Sequence, residues 1–283
     1  MRTHRIHLNG FDMVYKECGN PEGAAVVLLH GFCGSSNYWH KLCPLLSSNY
    51  RVIMPDLRGH GESSAPEGAY TMEKMADDVA RLLDVLRIDK AVVFGHSLGG
   101  YVTAAFADAH SDKLAGFGLI HSTALPDTAE MKRKRIRDIV EIRAKGIAPY
   151  VRGIMPRLLP EKRRDELRED LKQMIEIGCR MAPEAAIRTL EGMLQRPDRS
   201  RVLAEAAVPV LLVAGEEDTV VEPDMTFTVS VMNAPCTTYK LPHILETAFE
   251  GVAHMSLVEV SDQLARVMLS YLQTLAEKER MVP

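Results

Sequence analysis

The chain is poor in cysteine: Cys18, Cys33, Cys43, Cys179 and Cys236 are the five in 283 residues. The number is odd and no two are arranged as Cys-x-x-Cys, which speaks against a disulfide framework and against a zinc site. Each cysteine is expected to be a reduced, small, packed hydrophobe. No apolar run approaches the roughly 20 residues of a membrane span. The N-terminal Met1–Gly10 has basic residues with no apolar stretch behind them, unlike a secretory signal. A cytoplasmic protein is therefore expected. Charge of one sign is not in excess: 34 Lys and Arg stand against 38 Asp and Glu, for a net −4. That balance argues against nucleic acid as a partner. There is no internal repeat and no low-complexity segment. The 46% hydrophobic and 25% charged composition is that of a globular chain, long enough to bury a large core.

Apolar segments alternate in type along the chain. His4–Leu8 and Met13–Glu17 read as strands about an Asn9-Gly10 hairpin turn. Ala24–His30, Arg51–Met54, Ala91–Phe94, Leu114–Ile120 and Val208–Val213 read as strands, several apolar throughout as parallel sheets require, with Thr237–Leu241 a weaker one. Asn37–Leu46, Thr71–Leu86, Leu98–His110 and Ser256–Glu277 read as helices, Thr71 serving as an N-cap. Strand and helix in alternation predict a mostly parallel sheet with helices on both faces. From about Ala124 to Arg199 the strand pattern disappears, and helical periods punctuated by prolines predict about four short helices. This predicts a core from residues 1–123 and 201–283 with a helical cap at 124–200. The basic run Lys132–Lys145 reads as a solvated helix face, with an anion or membrane-surface patch as its alternative.

Chemistry concentrates at Gly95-His96-Ser97-Leu98-Gly99, a G-x-S-x-G sequence between a buried strand and a helix. A serine on such a turn is exposed, and the residues two before and two after it must be small. The helix starting at Leu98 aims unpaired N–H groups at any anion formed beside Ser97.

Together with four further segments, this motif resembles the α/β-hydrolase fold family over nearly the whole chain. Val26–Phe32 is similar to the strand and oxyanion loop of that family, and Asp56–Ser63 to a common loop motif. Val213–Asp218 is similar to its acid-bearing turn, and Gly251–Glu259 to its histidine loop, with Ala253 where many relatives have glycine. The resemblance implies Ser97 as nucleophile, His254 as base and Asp218 as its acid, in the chain order nucleophile, acid, histidine. Glu216, Glu217 and Glu222 are the competing acids, and His243 the competing base. The backbone N–H groups of Phe32 and Leu98 are the expected oxyanion donors.

Serine at the nucleophile position, in place of aspartate, argues against haloalkane dehalogenase or epoxide hydrolase chemistry. Phe32, His121, Met155 and Leu158 are the expected substrate contacts, within a lid rich in methionine and leucine. His30, His60 and His96 are expected to orient backbone. No His and carboxylate spacing suggests a metal, and no cofactor is implied. The expected activity is hydrolysis of a small-molecule carboxylic ester through an acyl-enzyme. Thioesters, lactones, amides and carbon–carbon bonds, perhydrolase chemistry, and a small-molecule receptor role are the alternatives.

Overall fold

The computed structural model describes residues 1–228 and 243–281. Asn9 and Gly10 both have positive φ (49° and 79°), the conformation of a tight two-residue hairpin turn. They join β1 (Arg2–Leu8) to β2 (Phe11–Gly19) in antiparallel register. β3 (Ala25–Leu29), α1 (Cys43–Leu46), β4 (Arg51–Pro55), α2 (Met72–Val85), β5 (Ala91–His96), α3 (Leu98–Ala109) and β6 (Leu114–Ile120) follow. Among the described residues the six strands β1–β6 belong with β7 (Val210–Gly215) and β8 (Ile244–Phe249) to one eight-stranded sheet, ordered β1-β2-β4-β3-β5-β6-β7-β8. The β1–β2 and β2–β4 pairs are antiparallel; every other pair is parallel. This is the α/β-hydrolase fold, with β5 at the centre and every one of its residues buried.

The helices form where the periodicity places them. Thr71 caps α2, its hydroxyl accepting from the Lys74 amide at 3.2 Å. Between β6 and β7 the chain is helical: α4 (Ala129–Lys145), α5 (Ile147–Ile154), α6 (Arg168–Cys179), α7 (Pro183–Gln195) and α8 (Ser200–Ala204), with two short 3-10 turns. α9 (Pro223–Thr226), α10 (Ser256–Glu259) and α11 (Ser261–Met281) complete the described elements. α11 covers the sheet centre. The Tyr271 ring meets Phe94 edge-on at 5.6 Å, and its hydroxyl donates to the Pro209 carbonyl at 2.6 Å. No helix among the described residues is long and apolar enough to cross a membrane.

Several local expectations need correction. The predicted helix Asn37–Leu46 is a 3-10 turn (Ser36–Trp39) and a separate α1, whose Pro44 sits in the first turn where it lacks no needed donor. The closing helix is broken at Val260, which leaves helical geometry at φ −143°. β7 starts at Val210, after Pro209, which has no N–H for a ladder. The predicted strand Thr237–Leu241 lies outside the described residues. β8 instead forms at Ile244–Phe249, a segment with only its two ends buried and hence without the apolar run of a central strand. Cys18 and Cys43 are joined in a disulfide, where reduced thiols were expected. The end of β2 and the start of α1 meet through tertiary packing, and a separation of 25 residues carries no sign of it. Cys33 and Cys179 are free thiols, and Cys236 lies outside the described residues.

Candidate active site

Ser97 sits at φ 52° and ψ −113°, a left-handed conformation that a side chain rarely adopts, between the end of β5 and the start of α3. The turn is possible because its neighbours lack side chains. A β-carbon on Gly95 would run into the Gly99 carbonyl, and one on Gly99 into the Leu29 carbonyl. The Ser97 amide donates to Ile120 O at 3.0 Å, and the Ser122 hydroxyl to Ser97 O at 2.7 Å, so the strained turn is tied down from both sides. Ser97, half-buried, faces a cavity of about 640 Å³, within the size range of small-molecule sites.

His254 lines the same cavity. Its Nδ1–H donates to Asp218 Oδ2 at 2.8 Å, and both side chains are almost wholly buried. Asp218 lies on the turn after β7, where its other oxygen accepts the amides of Val220 (2.8 Å) and Val221 (3.0 Å). Burial pushes the Asp218 carboxyl up, but His254 and His121 beside it outweigh this and hold it well below the ordinary carboxylate range. Glu216, Glu217 and Glu222, the competing acids, are exposed. His243, the competing base, engages Leu203 O at 3.1 Å, in the segment preceding β7.

Two groups hold His254 in place. His96 donates from Nε2 to the His254 carbonyl at 2.8 Å, linking the residue before Ser97 to the histidine loop. Glu259, buried, accepts the amide of Ala253 through Oε2 (3.0 Å) and that of Met255 through Oε1 (2.9 Å), so one carboxylate grips both neighbours of His254. Burial raises the Glu259 carboxyl above its usual range. Glu259 was visible in the sequence only as the end of the histidine loop; its bridging role is a consequence of the turn at α10.

The loop after β3 is organised by His30. Its Nδ1–H donates to Gly31 O (2.8 Å), and its Nε2 accepts the Leu57 amide (3.0 Å), which ties the loop to the Asp56–Ser63 segment. Asp56 in turn accepts the amides of Ser36 (2.6 Å) and Glu62 (2.8 Å). Burial lowers His30 to about 4 and His60 to about 3, so both are neutral near pH 7. Phe32 and Leu98 follow on the cavity wall, and neither backbone amide donates to another described residue. For Leu98 this is the unpaired first N–H of a helix.

Of the expected substrate contacts, Phe32, Met155 and Leu158 line the cavity. His121 does not. It is fully buried behind the cavity, at φ 48°, and its Nδ1–H donates to Asp218 Oδ2 at 3.1 Å. It follows the last residue of β6, and the backbone turn there points the ring along the sheet end toward Asp218. The metal-ligating atoms of His121, Asp218 and His254 all lie within 4.8 Å of one another, a grouping that no sequence spacing announced. Tyr101, Arg135 and Tyr150 are cavity residues that the sequence did not single out. Tyr101 had a signal in standing four residues after Ser97, one helical turn along α3, and Arg135 in belonging to the basic run Lys132–Lys145.

A sequence model of the alpha/beta hydrolase fold matches residues 24–141, the stretch that carries β3 to the start of the helical segment. This match and the sheet order above agree on the α/β-hydrolase fold. The chain is 28% identical over 268 residues to the dihydrolipoyllysine-residue acetyltransferase component of the acetoin cleaving system of Pseudomonas putida, covering 91% of this chain and 65% of that protein. It is 40% identical over 104 residues to a soluble epoxide hydrolase of Corynebacterium sp., covering 37% of this chain and 36% of that protein. The chain thus spans less than two thirds of the length of both. Among solved structures, a thermophilic esterase from Thermogutta terrifontis superposes with a TM-score of 0.87 at 28% identity, covering 97% of this chain and 99% of that one.

Proposed function

We propose that the protein is a serine hydrolase that cleaves a carboxylic ester of small to medium acyl size. The observation that carries this reading is a serine on a strained turn facing the same cavity as a histidine paired with a buried aspartate. A serine hydroxyl is a poor nucleophile near pH 7 and needs a base to take its proton as it attacks. His254 is that base. Asp218 holds the far nitrogen protonated and stabilises the imidazolium as it forms. Ser97 Oγ attacks the acyl carbon and its proton passes to His254 Nε2. The oxygen that becomes negative is received by the amides of Phe32 and Leu98, each such donor being worth about 3 kcal/mol in the barrier. The proton then goes to the departing alcohol, leaving an acyl group on Ser97. Water, deprotonated by His254, releases the acid in a second step of the same kind. Residues 124–200 act as a lid, with Met155 and Leu158 against the acyl group and Phe32 beside it.

Serine at the nucleophile position favours acyl transfer over the aspartyl-ester chemistry of epoxide hydrolases, even though two relatives bear that name. The test is labelling with a fluorophosphonate. One adduct on Ser97 is expected, with multiple-turnover hydrolysis of p-nitrophenyl acetate or butyrate that falls at least 10³-fold in Ser97→Ala. An unlabelled Ser97, or hydrolysis unchanged in Ser97→Ala, overturns the reading. Release of a single equivalent of p-nitrophenol would favour a receptor over an enzyme.

A further inference from the structure

We propose that the cavity carries an anion subsite built on Arg135, and that the ester accepted there bears a carboxylate a few carbons from the reacting bond. The inference rests on the ester-hydrolase reading and extends it to substrate class. Arg135 belongs to α4, within the basic run Lys132–Lys145, and lines the cavity. It is paired with buried Asp127 through Nε (2.5 Å) and Nη2 (3.0 Å). Asp127 is also paired with Arg196 at 2.7 Å. Two guanidinium groups therefore share one carboxylate, and the cluster carries one positive charge in excess. Arg196 is almost fully buried, and its Nη2 has no hydrogen-bond partner among the described residues.

Arg135 keeps one guanidinium nitrogen, Nη1, that is not engaged by Asp127. Its Nη1 meets only the thioether sulfur of Met193, itself a cavity residue and a weak acceptor for a charged N–H. Buried charge without a counter-ion is costly, and a carboxylate entering the cavity supplies the missing one. Guanidinium is suited to this, since its planar fork receives a carboxylate through paired N–H groups.

The geometry also bears on distance from the chemistry. Arg196 stacks on Tyr101 at 3.9 Å from the ring centre. Tyr101 lines the cavity one helical turn, about 6 Å, beyond Ser97, and its hydroxyl bonds to no other described residue. The Tyr101 hydroxyl is thus a second donor on the cavity wall that the cluster and Ser97 share. Other charged groups on the wall are either paired or exposed. Asp138 is taken by Lys134 (2.9 Å) and Tyr150 (3.3 Å), while Glu130 and Glu222 are exposed, as are Arg137 and Arg157.

The test compares charged esters with neutral isosteres in a pH-stat: monomethyl adipate against methyl hexanoate, and 4-acetoxybutanoate against butyl acetate. For at least one pair, kcat/KM is expected to favour the charged ester tenfold or more, and Arg135→Met to lower that ratio at least tenfold. A ratio at or below one in both pairs, or a ratio unmoved by Arg135→Met, overturns the proposal. Should Arg135→Met not fold, Arg135→Lys keeps the charge but not the fork and must lower the ratio at least threefold; an unmoved ratio again overturns it. A separate arm needs no catalysis. Adipate is titrated calorimetrically into Ser97→Ala and into Ser97→Ala with Arg135→Met, and binding at least tenfold weaker in the double variant is expected. If no ester of any kind is hydrolysed, the hydrolase reading fails and this arm alone decides the subsite; absence of adipate binding to Ser97→Ala then overturns it.

Discussion

His121 and Asp218 are hydrogen-bonded, Nδ1 to Oδ2 at 3.1 Å, and the same oxygen accepts His254 Nδ1 at 2.8 Å. Asp218 is thus held between two imidazoles. The second one lies away from the cavity, fully buried, with its own Nε2 unpartnered among the described residues.

Removing the inner imidazole leaves Asp218 freer to rotate and deprives a buried carboxylate of a donor, a loss of about 1–3 kcal/mol. His121→Leu is therefore expected to lower kcat for a neutral ester about 5- to 100-fold, with KM moved far less. His121→Asn, which keeps an N–H donor, should recover part of the loss. Steady-state kinetics of both variants check this; equal losses in the two would mean that the hydrogen bond is not what matters.

Glu259 grips the amides on either side of His254. Glu259→Ala strands two buried donors and loosens the histidine loop. A fall in kcat of at least tenfold and a lower urea midpoint are expected. Glu259→Gln, with one acceptor oxygen remaining, should lie between wild type and Glu259→Ala in both measurements.

Gly99 has no room for a side chain, because its β-carbon would overlap the Leu29 carbonyl, which is backbone of a central strand and cannot move aside. Gly99→Ala is expected to destabilise by more than about 3 kcal/mol, in the range of severe core disruptions, or to yield no folded protein. A control at Gly153, where a β-carbon meets nothing within 4 Å, should cost little. Thermal unfolding of the pair separates steric exclusion from a general intolerance of alanine.

Acid should destabilise the fold through its buried histidines. Burial lowers His30 to about 4 and His60 to about 3, from an ordinary 6.5. Below about pH 6.5 the unfolded chain takes up protons that the folded chain refuses, so stability is lost as pH falls from about 6.5 toward 4. Each such histidine contributes a slope of about 1.4 kcal/mol per pH unit within that window. Urea midpoints are expected to drop steadily from pH 7 to pH 5. A flat profile would mean that these imidazoles accept protons in the folded state.

The parts of the site legible in advance are those set by neighbours in the chain. Gly95 and Gly99 about Ser97, the Asn9-Gly10 turn and the Thr71 cap are local matters of φ, ψ and side-chain size, and they stand in the structure where the residues demand them. In the sequence His121 reads only as a histidine after a strand, and hence as an expected substrate contact. Its φ of 48° and the turn at the end of β6 direct it to Asp218 instead, 97 residues away. Strand β8 was missed because an edge strand needs no apolar run, and the Cys18–Cys43 bond because chain spacing says nothing about what packs against what.

By itself, the order of residues determined that Ser97 would stand on a tight turn after a buried strand, since backbone sterics and burial act within a few positions. Only tertiary structure decided that Asp218 would hold two histidines, that Glu259 would brace the loop of one of them, and that Arg135 would face the cavity with an unmatched charge behind it. Such contacts join distant segments, and their geometry comes from how sheet and helices pack, which no short-range pattern encodes.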